Sequence, residues 1–174
     1  AKELNKRLGR EIARGHINQL AAKKAEIIVL TIPFSSHDDI IDEIKEEVQG
    51  KIVVDTTVPL IPPKVSRVQL PLGGSVAKLA QEKLGQNVRL VSAFQNVAAT
   101  SLESGDNVKG EVLVCGNNVD ARSEIISLIE GIGLKGWHAG PIDNSVVTES
   151  LTPVLIFLNK RYKLSGSGIS IVEH

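Results

Sequence analysis

Short β-branched runs alternate with helical periods along most of the chain. Residues 26–32, EIIVLTI, are almost continuously apolar, too short for a helix and rich in Ile and Val, which predicts a buried strand. Ser35, Ser36, Asp38 and Asp39 then supply helix-start chemistry ahead of Ile40, Ile41, Ile44 and Val48. The spacing of those four marks one helical face, and Gly50 is placed to end it. KIVVD at 51–55 predicts a second strand. Residues 56–74, with Pro59, Pro62, Pro63, Pro71 and the pair Gly73–Gly74, read as a loop. Ser75 is placed to cap a short helix carrying Val76, Leu79 and Leu84, closed by Gly85.

The run VRLVSAF at 88–94 predicts a third strand, and a short helical turn is expected within QNVAATSLESG at 95–105. A fourth strand is expected at 111–115, followed by a helix through Ile125, Ile126 and Ile129 with Asp120 as its cap and Gly131 and Gly133 at its end. A fifth strand falls near 134–140. A long apolar helix is expected from near Asn144 to about Tyr162, and Pro153 should kink or restart it. The tail SGSGISIVEH reads as flexible at first, with an edge strand at Ile169–Val172. This rhythm argues for a parallel α/β sheet with right-handed crossovers. Ligands in such sheets bind beyond the carboxyl ends of the strands, here Thr31–Ser36, Asp55–Pro63, Phe94–Thr100 and Gly140–Asn144.

Composition narrows the picture. Apolar residues make up 42% and charged residues 23% of 174 positions, enough to build a packed core. Twenty basic side chains balance twenty acidic ones, so the chain lacks the electrostatic footprint of a general nucleic-acid binder. One cysteine excludes an internal disulfide framework, and Cys115, inside an apolar run, reads as a small core residue. His16, His37, His138 and His174 show no metal-ligand spacing, so no metal site is expected. No apolar run reaches the roughly 18 residues needed to span a bilayer, which points to a cytoplasmic protein. The chain contains no methionine and opens inside a polar helical pattern, AKELNKRLGR.

The segments VLTIP (29–33), KIVVDTTVPL (51–60), RLVSAFQNVAA (89–99), VLVCG (112–116) and AGPIDNSVVTESLTPVLI (139–156) resemble the NADPH-dependent coenzyme F420 reductase family. Its members pass a hydride between a nicotinamide and a deazaflavin. The resemblance covers essentially the whole chain in the same order, and the AGP…NS…ESLTP block is its most specific part. It implies a Rossmann-like parallel sheet with a C-terminal helix, NADP and coenzyme F420 as cofactors, and a homodimer. Family members open with a strand and a glycine-rich loop that cradles the pyrophosphate. No such loop stands in this sequence, so the resemblance implies that residues 1–174 form the later part of one NADP-binding Rossmann-like domain. The absent first βαβ unit would be on the order of 40 residues. The exposed sheet edges this would leave invite aggregation. The 174-residue chain alone is expected to bind NADP weakly or undetectably.

Hydride transfer between two stacked rings needs positioning rather than a protein nucleophile, so no catalytic side chain is expected. The resemblance places Thr31, Ile32 and Pro33 along the dinucleotide and Ser36 at a phosphate or ribose, with helix capping as the alternative for Ser36. It places Val58 and Pro59 on the nicotinamide side of the crevice, with a rigid turn as the alternative. Gln95, Asn96, Ala98 and Ala99 are implied beside both rings. Family members often carry His where Gln95 stands, and Gln cannot supply a proton near pH 7 as His can. Asn96 is then the better ring-positioning contact. The last helix, with Asn144, Ser145, Glu149, Ser150 and Thr152, is implied to close the deazaflavin side and form the dimer contact. The plain alternative for Glu149 is a solvated helix residue. Two other readings stand beside the leading one: a related reductase using a flavin or ferric ion, and a non-catalytic nucleotide-binding scaffold.

Overall fold

A computed structural model describes residues 1–99, 102 and 110–173. The turn expected across 95–105 is therefore described only in part, and Thr100 and His174 lie outside the described residues. Two short helices, α1 (Lys2–Leu8) and α2 (Asn18–Lys24), precede strand β1 (Ile27–Leu30). Then come α3 (His37–Ile44), β2 (Ile52–Asp55), α4 (Val76–Leu84) and β3 (Arg89–Ser92). The second part holds β4 (Glu111–Val114), α5 (Val119–Gly131), β5 (Lys135–His138) and α6 (Ser145–Tyr162). The five strands expected between residues 26 and 140 all form, each shorter than its apolar run.

Strands β1, β2 and β3 pair in that order, all parallel, with Leu30, Asp55 and Ser92 in register at their carboxyl ends. Strands β4 and β5 form a second parallel pair. The two sheets meet at one antiparallel bridge, where the amides of Ser92 and Cys115 each donate to the other's carbonyl at 2.8 and 3.0 Å. Gly116 allows the approach, because a Cβ there would stand 2.7 Å from the Leu90 carbonyl oxygen.

Alternation along the strands splits the core between two faces. Leu30, Val53 and Leu90 face α3 and α4 and pack with Ile41, Ile44, Ala77, Ala80 and Leu84. Ile52, Val54 and Val91 face the other way and pack with Val112, Val114, Ile125 and Ile129. Helix α5 covers β3, β4 and β5 on that second face and leaves Val29 on β1 51% exposed. The outer edge of β1 has no strand partner among the described residues.

Several local readings change. Asn118, not Asp120, caps α5, its Oδ1 accepting the Ala121 amide at 2.8 Å, so the helix starts two residues earlier and Asp120 sits in its first turn. Ser36 makes no side-chain cap bond; a 3-10 turn at Phe34–Ser36 leads into α3, with Asp38 and Asp39 in its first turn. Helix α6 runs through Pro153 without restarting. Ile169–Val172 is not a strand, although the Glu111 amide donates to the Ile169 carbonyl at 3.2 Å. The proline-rich loop contains no regular element.

Candidate functional site

A cavity of about 490 Å³ opens where the carboxyl ends of β1, β2 and β3 leave the sheet. Val29, Thr31, Val54 and Thr56 form its floor, Phe94, Gln95, Val97, Ala99 and Leu102 one wall, and Ile125, Leu128 and Ile132 of α5 and its end the other. The lining is chiefly apolar with a few polar groups near the strand tips, the usual make-up of a small-molecule site. Phe94 holds a left-handed φ of 72°, a conformation that costs a non-glycine residue about 1–3 kcal/mol and clusters at binding sites.

Gln95 is 5% exposed and its amide is committed to the protein. Its Nε2 donates to the Asp55 carbonyl and to the Ser92 hydroxyl, both at 2.9 Å, while the Thr152 hydroxyl donates to the Gln95 carbonyl at 2.6 Å. Oε1 of Gln95 is buried without a partner. Asp55, at the end of β2, is fully buried; its Oδ2 pairs with His37 Nε2 at 2.7 Å and its Oδ1 accepts the Thr57 amide at 2.9 Å. Gln95 thus ties β2, β3 and α6 together directly behind the cavity wall.

A second polar cluster fixes α6. Ser145 and Ser75 share a hydroxyl contact of 2.6 Å. Glu149, 1% exposed, accepts the amides of Val76 and Ala77 at 2.8 and 3.0 Å, at the start of α4. Burial pushes its carboxyl up to about 7 against the opposing pull of those two amides. The solvated alternative for Glu149 is overturned: three polar side chains at i, i+4 and i+7 turn one face of α6 inward. Ser150 instead donates back to the Val146 carbonyl at 2.6 Å.

The structure brings Thr31, Gln95 and Ala99 together in the cavity. Ile32 lines a smaller groove of about 340 Å³ that runs along β1 from Ile27, beside Ala21, Ala25 and Ile40, and shares Val29 and Thr31 with the first cavity. Pro33, Ser36, Val58, Pro59, Asn96 and Ala98 line neither space. Ser36 and Pro33 are exposed, Pro59 is buried in the turn leaving β2, and Asn96 spends its side-chain amide on the Glu111 carbonyl at 2.7 Å. The α5 wall was missed by the sequence reading, and Phe94 was placed in a strand-tip stretch without a role of its own. Leu128 and Ile132 did carry a signal, as an apolar i, i+4 pair off the Ile125–Ile129 core stripe. For Phe94 the strand end was legible but its left-handed backbone was not, since such a position would be expected to hold Gly. Cys115 is buried in the core, and burial pushes its thiol up to about 11, as expected of an inert residue. Among the described residues no group of three His, Cys, Asp or Glu side chains could hold a metal ion.

Parallel strands flanked by helices, with a cavity at the strand tips, define a Rossmann-like α/β protein. A family model described as NADP oxidoreductase coenzyme F420-dependent matches residues 1–59. An F420-dependent NADP reductase from Methanocaldococcus jannaschii is 41% identical over 99% of this chain and 80% of its own length. One from Methanothermobacter marburgensis is 30% identical over 92% of this chain and 74% of its own. The chain belongs to the F420-dependent NADP oxidoreductase family. A crystal structure from an Arthrobacter species shares the fold with a TM-score of 0.80 at 21% identity, covering 91% of this chain and 74% of that one.

Proposed function

We propose that this protein exchanges a hydride between NADP(H) and coenzyme F420, and that the cavity behind Gln95 seats the deazaflavin ring. The observation that carries the reading is the 41% identity to a named F420-dependent NADP reductase along 99% of the chain. The cavity's position at the strand tips supports it. When bound, the nicotinamide and the deazaflavin supply the redox chemistry between them. The protein's part is to hold them face to face at about 3–3.5 Å in a dry slot.

Each residue has a task in that reading. Val29, Val54, Val97, Ile125 and Leu128 exclude water from the deazaflavin face. Thr31, Ile32, Pro33 and Ser36 follow the dinucleotide, and Val58 and Pro59 flank the nicotinamide. Ala98 and Ala99 are small enough for a ring to approach the backbone. Asn96 and Gln95 act through the turn they hold, since both side-chain amides already donate inside the protein. No side chain moves a proton at position 95, where the resemblance puts His in other members. Residues 1–174 are read as one NADP-binding domain.

The finer assignments follow from surfaces. Val147, Val154 and Phe157 lie exposed along one side of α6, and we assign them to a homodimer contact. No helix among the described residues is long and apolar enough to cross a membrane. A cytoplasmic location is the expected result of cell fractionation.

The test is optical. Intact protein mixed with NADPH and oxidised F420 should bleach the deazaflavin absorbance, and a flavin or ferric acceptor should be reduced far more slowly. Active cofactors left unchanged by folded protein would refute the reading; faster reduction of the alternative acceptors would transfer it to a related reductase.

A further inference from the structure

The C-terminal segment is seated on a single residue. Glu111, the first residue of β4, accepts the Ile171 amide on Oε2 at 2.7 Å and the Ser170 hydroxyl on Oε1 at 3.0 Å. The indole N–H of Trp137 donates to the same Oε2 at 2.7 Å, and Lys135 lies over the indole ring, 4.0 Å from its centroid. These donors hold the carboxyl of Glu111 below its usual value, the Ile171 amide foremost. On the opposite side, the Glu111 carbonyl accepts Asn96 Nδ2 at 2.7 Å. Asn96 stands between Gln95 and Val97, both of which line the cavity.

The turn carrying those residues is fixed from two directions. The bonds from Thr152 and to Asp55 hold Gln95. The Val97 side has its own amide bond to the Phe94 carbonyl, 3.0 Å, and the Asn96 side chain reaching Glu111. Moving Glu111 therefore moves the part of the wall that Gln95 does not restrain. We propose that Glu111 is a positioning residue through which the seat of the C-terminal segment sets the geometry of the cavity wall. This deepens the proposed function and rests on that reading of the cavity.

Three variants test it. Ile171→Pro deletes one donor at an exposed position and leaves β4 untouched; Glu111→Ala removes the seat; Glu111→Gln keeps an acceptor. The chain's single tryptophan reports the seat without any need for activity. Its emission should shift in Ile171→Pro and Glu111→Ala, and amide hydrogen exchange across Gln95–Val97 should quicken in both. The KM for F420 should rise about fivefold, the equivalent of one lost hydrogen bond, with kcat and the KM for NADPH little changed. Glu111→Gln should recover most of each effect. A merely structural role would lower stability and leave KM alone. Unchanged emission overturns the seat, and shifted emission with unchanged exchange at Gln95–Val97 overturns the coupling. Quickened exchange with no hydride transfer by the wild type leaves the coupling standing and refutes the functional reading instead.

Discussion

Thr152 donates to the Gln95 carbonyl at 2.6 Å and so joins the last helix to the turn behind the cavity. Thr152→Val keeps the branched shape and removes the donor, leaving a buried carbonyl short of a partner. The expected cost is about 1–2 kcal/mol, read as a lower urea midpoint with an unchanged slope. The Thr152 bond also shows what the sequence could reveal at this scale. The ESLTP block stood out by resemblance, but nothing local to it said that Thr152 reaches Gln95 or that Glu149 reaches Val76. Such partners are set by how helices dock, and a linear pattern carries no docking information. Gln95 is similar: its type was legible as a departure from His, whereas its use as an internal tie became visible only with Asp55 and Ser92 beside it.

At the scale of elements, β1 to β4 were legible because each is a short run containing Val or Ile, and the helices because their apolar spacing is close to 3.6. Strand β5, Lys135–His138, has no β-branched residue and was legible only from its place after a helix closed by Gly131 and Gly133. Ends were less so: Asn118 and Asp120 both have capping chemistry, and Asn118 caps because it leaves Val119 to start the helix. Helix α6 offers a test of its own. Its Glu149 has a folded-state value near 7 against an ordinary 4.5. Between those values the folded chain keeps a proton that the unfolded chain has lost, so stability falls as pH rises from about 4.5 to about 7 and levels off above. The swing is on the order of 3 kcal/mol. Urea midpoints measured across that range should decline in the wild type. In Glu149→Gln they should start lower, because one amide of α4 loses its acceptor, and should lack the slope. A wild-type midpoint that rises over the same range would contradict the assignment.

For the whole molecule, strand direction was the least legible feature. Alternating strands and helices imply parallel pairing within each sheet, and both sheets obey it. The antiparallel joint at Ser92 and Cys115 depends instead on a close approach that Gly116 permits, a single residue in no periodic pattern. Among the described residues, two places where apolar groups face solvent compete as sites for a second copy to bind. One is the stripe on α6, with Phe157 54% exposed; the other is the open edge of β1, beside which Val29 of the cavity floor is 51% exposed. An unpaired strand edge supports open-ended addition as readily as closed pairing, whereas a helix stripe packed against its own copy closes after one step. A defined homodimer therefore favours α6. Sedimentation should give twice the 18.7 kDa chain mass for the wild type and for Val29→Lys, and the single chain mass for Phe157→Glu. The reverse pattern would move the interface to β1, and a wild type sedimenting as a single chain would rule out both surfaces.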